Sequence, residues 1–209
     1  MSLRTGARLA VLASGRGTNF VALADAARQE KLGSKIAVLV SDREQAPVLE
    51  IAKERKIPTQ YLDPGGYRTR LSKEAEAEYV RVLQERGVDT VVLAGFMRIL
   101  RSCFLEAFPN AVLNIHPSLL PAFPGLDAVR QALEHGVSVT GCTVHLVNES
   151  VDAGPILAQA PVPVFPDDDP DQLLERIHVA EHRLYPETVR RFLTEPFRLK
   201  DRRVIWGKS

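Results

Sequence analysis

Residues 9–19, LAVLASGRGTN, set how the rest of the chain is read. Leu9 to Ala13 form a short apolar run without alternation, the pattern of a strand covered on both faces. The run passes straight into the glycine loop Ser14-Gly15-Arg16-Gly17-Thr18, and a helix is predicted from there to about Lys31, with Gly33 as its stop. Such a loop lets backbone N–H groups approach an anion at the start of a helix. A dinucleotide fingerprint would need a glycine or alanine where Phe20 stands, so one phosphate suits the loop better than a pyrophosphate. A tight strand–helix turn without a ligand is the plainer alternative. Asp42 superficially mimics the acidic ribose ligand of dinucleotide-binding folds.

Outward from this unit the alternation continues. Ile36 to Val40 reads as a second strand, Pro47 to Arg55 as a helix, Thr59 to Leu62 as a third strand and Asp63 to Gly66 as a turn. A helix is predicted over Arg70 to Arg86, stopping at Gly87, followed by strands at Thr90–Ala94 and Ala111–Ile115. Strands separated by helices imply a parallel, doubly wound sheet. Beyond Gly125, Val139–Val147 and Ile156–Val164 read as strands that extend the sheet in antiparallel fashion. Asp167-Asp168-Asp169-Pro170 signals the start of a helix running from about Asp171 towards Thr194, kinked or divided at Pro186. The expectation is one α/β domain over residues 1–209: a mixed, mostly parallel sheet, helices on both faces and a Rossmann-like first half to about residue 110.

Composition narrows the function classes. Of 209 residues, 45% are apolar and 25% charged, as in ordinary globular chains. Twenty-seven basic against 26 acidic residues give a net charge of +1, so no bulk field draws the chain to nucleic acid or membrane. Cys103 and Cys142 sit in apolar stretches without metal-type spacing and read as buried free thiols. The N-terminal Met1 to Gly6 lacks a signal-peptide core, and no run is long enough to span a membrane, which points to a cytoplasmic protein. Gly207-Lys208-Ser209 matches part of a P-loop by chance only, lacking the upstream glycine and following helix.

The chemistry centres on Asn114-Ile115-His116. In an extended segment residues i and i+2 share a side, so both polar groups face one place at the carboxyl end of a strand. An amide donor beside an imidazole suits a tetrahedral oxyanion intermediate. Taken alone, a capping Asn and an internally satisfied His explain the pair equally well. Pro117, Pro121 and Pro124 with Gly125 hold the following loop in shape. Asp152 lies in a Gly/Pro loop, where turn geometry is the ordinary reason for Asp. Were it to approach His116, its charge would favour the imidazolium. His145, between Val144 and Leu146, reads as structural or as support to such a site. His135, His178 and His182 fall on surfaces or helix flanks.

Taken together, these stretches resemble the phosphoribosylglycinamide formyltransferases. The resemblance rests on Ser14 to Asn19, Val92 to Leu100 (VLAGFMRIL), Asn114 to Pro121 (NIHPSLLP) with Pro124-Gly125, Thr143-Val144-His145, Asp152 to Pro155 and Glu181 to Pro186, in order along nearly the whole chain. It implies a mixed, largely parallel sheet. It also implies transfer of a formyl group from the co-substrate 10-formyltetrahydrofolate to the amine of glycinamide ribonucleotide, in purine synthesis. By the same resemblance Asn114 would hydrogen-bond the formyl oxygen, His116 would supply a proton or positive charge, and Asp152 would pair with His116 and assist proton transfer. Gly17, Thr18 and Asn19 would take the phosphate and Glu181 a ribose hydroxyl. The folate would lie against Met97, Arg98, Ile99 and Leu100 and the loop Asn148, Glu149, Ser150, Val151 and Asp152, with Arg70 a less direct carry-over because Asp63 to Leu83 aligns only with a gap. Thr18 stands where relatives usually have Ser. No metal or covalent enzyme intermediate is implied, the partners are the two small-molecule substrates, and a homodimer is allowed.

Two relatives share this core. Formyltetrahydrofolate deformylase hydrolyses the same donor but carries an N-terminal regulatory domain, for which a first strand at Leu9 leaves no room. Methionyl-tRNA formyltransferase carries a C-terminal barrel and needs a basic face that the near-neutral charge does not provide. A non-enzymatic nucleotide-binding domain would explain the glycine loop but leave Asn114, His116 and Asp152 without a purpose.

Overall fold

A computed structural model describes residues 6–207. The Met1–Thr5 stretch and the final Lys208-Ser209, considered above for targeting and for a P-loop, lie outside the described residues. The elements are β1 (Arg8–Leu12), α1 (Thr18–Arg28), β2 (Lys35–Ser41), α2 (Pro47–Glu54), β3 (Thr59–Tyr61), α3 (Lys73–Glu85), β4 (Thr90–Leu93) and α4 (Ser102–Ala107). They continue with β5 (Val112–His116), α5 (Ala128–Glu134), β6 (Val139–Leu146), β7 (Ile156–Pro163), α6 (Pro170–Thr194), β8 (Phe197–Lys200) and β9 (Arg203–Trp206). They build one nine-stranded sheet in the order β3-β2-β1-β4-β5-β6-β7-β9-β8. The first five strands in that order are parallel, as the apolar runs imply; β5–β6 and β6–β7 are antiparallel.

Alternate residues of each central strand feed two separate cores. Leu9 and Val11 of β1 pack on one face with Phe20 and Leu23 of α1, Val48 of α2 and Ile177 and Val189 of α6. Ala10 and Leu12 pack on the other face with Tyr79 and Leu83 of α3 and with Phe104 of α4. Leu113, Ile115, Val144 and Leu146 belong to the first core. The opposite side of β5 and β6 carries Asn114, His116, Thr143 and His145 in cross-strand pairs, and the loop after β5 meets it: the Ser118 carbonyl accepts the Thr143 hydroxyl, and Thr143 Oγ1 accepts the Leu120 N–H.

Several local readings need correction. α3 begins at Lys73 rather than Arg70, because the Ser72 hydroxyl accepts the Ala75 N–H and caps it. Arg70 instead forms an isolated β-bridge with Ile99. α1 ends at Arg28, earlier than Lys31, and both Glu30 and Gly33 beyond it take left-handed backbone conformations. α6 is not divided at Pro186: it runs unbroken from an Asp169–Gln172 capping box, with Tyr185, Val189 and Phe192 buried around the proline. That packing outweighs the roughly 3 kcal/mol a helical proline costs. Cys142 is buried, and burial pushes its thiol up to about 12, but Cys103 is exposed because α4 turns Phe104 inward. The short helices α4 and α5 and the β8–β9 hairpin were not anticipated.

Candidate active site

The glycine loop follows β1 and opens α1. Gly17, at φ 81°, stands just before the helix, and a Cβ there would come within 2.4 Å of Val48 Cγ2, so only glycine fits between loop and α2. A cavity of about 280 Å³ opens over this loop at the carboxyl ends of β1 and β4. Gly17, Thr18 and Asn19 line it together with Arg16, Arg43, Met97 and His178. Two arginines and a helix N-terminus make it a place for an anion. Behind the loop, Asn19 Nδ2 donates to Glu181 Oε2 at 2.7 Å. Glu181 is buried, and that burial pushes its carboxyl up to about 7 although the Asn19 hydrogen bond works against it. His178 lies 4.0 Å from Glu181, and burial, with His182 and Arg16 nearby, lowers its pKa.

At the next strand the site is made by convergence. β5 presents Asn114 and His116, and the antiparallel register sets Asn114 opposite His145 and His116 opposite Thr143. The loop between β6 and β7 brings in Asp152, at φ 52°, a left-handed conformation that Asp tolerates better than most residues. Asp152 Oδ2 lies 3.3 Å from His116 Nδ1 and accepts the Gly125 N–H at 2.8 Å, while Oδ1 lies 3.5 Å from His145 Nε2. Burial works to raise the Asp152 pKa. The His145 and Gly125 hydrogen bonds and the charge of His116 outweigh it, so the carboxyl is held below its ordinary value. His116 Nε2 donates to the Phe123 carbonyl at 2.8 Å, and His145 Nδ1 to that of Leu146 at 2.9 Å. In its neutral form the His116 ring therefore turns a bare nitrogen towards Asp152, and the contact becomes attractive when the ring carries a second proton. Asn114 Nδ2 sits 3.3 Å from His145 Nε2, which leaves its second N–H for another acceptor.

The segment after β4 joins the two parts. Ser14 Oγ accepts the Met97 N–H at 2.9 Å, and the Thr69 carbonyl accepts the Ile99 N–H at 2.9 Å. Met97 and Ile99 are exposed, as is Val151 across the site, whereas Leu100 is buried in the second core. Glu149 accepts the Ser102 hydroxyl at 2.7 Å, tying the 148–152 loop to the same segment, and Asn148 Oδ1 accepts the Ser150 N–H in a local turn. Arg70 reaches this side with its guanidinium 4.0 Å from the Tyr67 ring centre. Asp42 is not a ligand candidate, because Arg98 Nε occupies it at 2.6 Å. Sequence reasoning missed Arg16, Arg43 and His178 as cavity residues; Arg16, set between the two glycines, was the available signal, whereas Arg43 follows β2 and reaches the cavity only through the fold. It placed His145 in a supporting position, but its contact with both Asn114 and Asp152 depends on the β5–β6 register.

Among the described residues, no helix is long and apolar enough to cross a membrane, and no group of three or more His, Cys, Asp or Glu residues is arranged to hold a metal ion. The formyl transferase family model matches residues 7–189. Phosphoribosylglycinamide formyltransferase of Bacillus subtilis is 40% identical over 89% of this chain and 94% of its own length. The human trifunctional purine biosynthetic protein adenosine-3 is 41% identical over 97% of this chain, which spans 20% of that protein. Among solved structures, glycinamide ribonucleotide transformylase 1 from Symbiobacterium toebii superposes with a TM-score of 0.93 at 48% identity, covering 98% of this chain and 95% of that one. A formyltetrahydrofolate deformylase from Pseudomonas syringae stands further off, at 27% identity and a TM-score of 0.88, with 97% of this chain matched to 66% of that one. This chain belongs to the formyl transferase family, on the side of its phosphoribosylglycinamide formyltransferases.

Proposed function

We propose that this protein transfers the formyl group of 10-formyltetrahydrofolate to the amine of glycinamide ribonucleotide, in the cytoplasm. The observation that carries the reading is the meeting of Asn114, His116 and Asp152 at one strand end, beside a cavity suited to a phosphate. The phosphate takes the N–H groups of Gly17, Thr18 and Asn19, with Arg16 and Arg43 facing it, and Glu181 holds a ribose hydroxyl. The folate lies along the backbone of residues 97–100 and the 148–152 loop, with Arg70 at its outer end. This divides the chain into a nucleotide-binding part to about residue 110 and a folate and catalytic part beyond it.

The amine nitrogen attacks the formyl carbon and a C–N bond forms. The carbonyl oxygen becomes an oxyanion, which the Asn114 amide and the His116 imidazolium stabilise. Asp152 pairs with His116 and accepts the proton that the amine nitrogen loses. That proton passes from Asp152 to the folate nitrogen, whose bond to the formyl carbon breaks as the carbonyl re-forms and tetrahydrofolate leaves. Positioning and electrostatics supply the acceleration.

The test is a purified-protein assay with both substrates. Formyl transfer that depends on glycinamide ribonucleotide is the expected result. Folate release without the amine acceptor would make the protein a hydrolase, and no turnover under either condition would overturn the reading.

A further inference from the structure

The side chain of Arg98 turns away from the reacting groups and into the protein. Its Nε donates to Asp42 Oδ2 at 2.6 Å, and its Nη1 donates to the Tyr67 and Arg68 carbonyls at 2.5 and 2.7 Å. The Asp42 side chain is wholly buried and that of Arg98 is 14% exposed. Asp42 follows β2, and its other oxygen is buried with no hydrogen-bond partner, so nearly all its compensation comes from one guanidinium. Neighbouring contacts point the same way: Ile99 N–H to Thr69 O, the Arg70–Ile99 bridge, and Tyr67 beneath Arg70. The segment 67–70 has no helix or strand of its own, and it is held by residues 97–100 through these contacts.

We propose that Arg98 is a positioning residue for the folate side, whose guanidinium, anchored on Asp42, fixes the 67–70 segment against the 97–100 backbone and so shapes the wall that receives the folate. The proposal rests on the folate path given above. A planar fork with two carbonyls on one nitrogen and a carboxylate on another fixes direction as well as distance, which an ammonium could not. The anchor is a charge, so the wall depends on a residue that never touches either substrate.

Asp42→Asn keeps the shape and removes the charge. It should raise KM for 10-formyltetrahydrofolate about 5- to 20-fold, leaving kcat and KM for glycinamide ribonucleotide within about twofold, and Arg98→Lys should raise the same KM further. In the ligand-free protein, amide exchange at Ile99 should quicken in Asp42→Asn while that of β1 and β4 stays the same. An unchanged folate KM with unchanged Ile99 protection would overturn the proposal. So would a loss of kcat and of both affinities in proportion to thermal stability, which would mark the pair as merely structural. If the wild-type protein fails to turn over folate, the proposed function falls, and the exchange measurement still decides the clamp. Should Arg98→Lys not fold, Asp42→Asn carries both readouts.

Discussion

The anion cavity and the Asn114–His116–Asp152 cluster open at the carboxyl ends of neighbouring strands, but they are assembled differently. Six consecutive residues, Ser14 to Asn19, line the cavity, and its defining contact is between the first loop and α2. In the cluster, Asn114 meets a histidine 31 positions away, and Asp152 meets a backbone N–H 27 positions away. The cavity relies on local backbone geometry, whereas the cluster relies on the pairing of two strands and the bend of one loop. Binding and turnover should therefore respond to different substitutions.

The largest effect tests the cluster. His116→Ala and Asp152→Asn should each lower kcat by about 10²–10⁴, with both KM values little changed, in steady-state assays of folded variants. Variants that lost affinity and kept turnover would erase the distinction between the two regions. Gly17→Ala tests the cavity: a left-handed residue gains about 1–2 kcal/mol of strain, and its methyl runs into Val48. KM for the ribonucleotide should rise about tenfold or more, while folate binding followed by fluorescence titration stays as it was. A matching loss of folate affinity would show that the two regions are one unit.

Glu181 sharpens the comparison through pH. Its carboxyl titrates at about 7 when folded against an ordinary 4.5, so the folded chain holds this proton more tightly. The stability it contributes is full below about pH 4.5 and is lost as pH rises to about 7, up to about 3 kcal/mol. Glu181→Gln, which stays neutral, should gain on the wild type across that window in denaturant melts at pH 5 and pH 8. Parallel losses in both proteins would mean that the burial of Glu181 costs nothing. The smallest effect is on the outer wall. Arg70 is partly exposed and stacked on Tyr67, so Arg70→Ala should raise the folate KM only about two- to fivefold. A larger rise would make Arg70 a principal folate contact.

What could be read from the sequence follows the same division. β1, β2, β4 and β5 are buried on both faces, so their apolar runs had no competing reading, and the loop after β1 announced itself through two glycines. The short helices α4 and α5, of six and seven residues, give too few turns for a period to show. The β8–β9 hairpin left a weak alternation, Phe197-Arg-Leu-Lys200, that a single sequence seldom separates from loop. Cys103 was misread because an apolar neighbourhood in sequence says nothing about which side of a helix faces the core. The contacts of His145 and the Arg98–Asp42 pair were out of reach for a stronger reason: their partners lie far off in sequence, and only register or a side chain's direction brings them together.

The cross-strand pairing of β5 with β6 also bears on when in its own lifetime the protein can act. Leu113 with Leu146 and Ile115 with Val144 face one core, while Asn114 with His145 and His116 with Thr143 face the candidate site. A slip of one residue would bury the imidazoles among the leucines and turn the leucines outward. If Asn114 and His116 act as proposed, a half-paired chain should be inert until the ladder closes. Joining segments so distant along the chain is a slow event. On dilution from denaturant, enzyme activity should thus return last, after helix content and after the glycine loop.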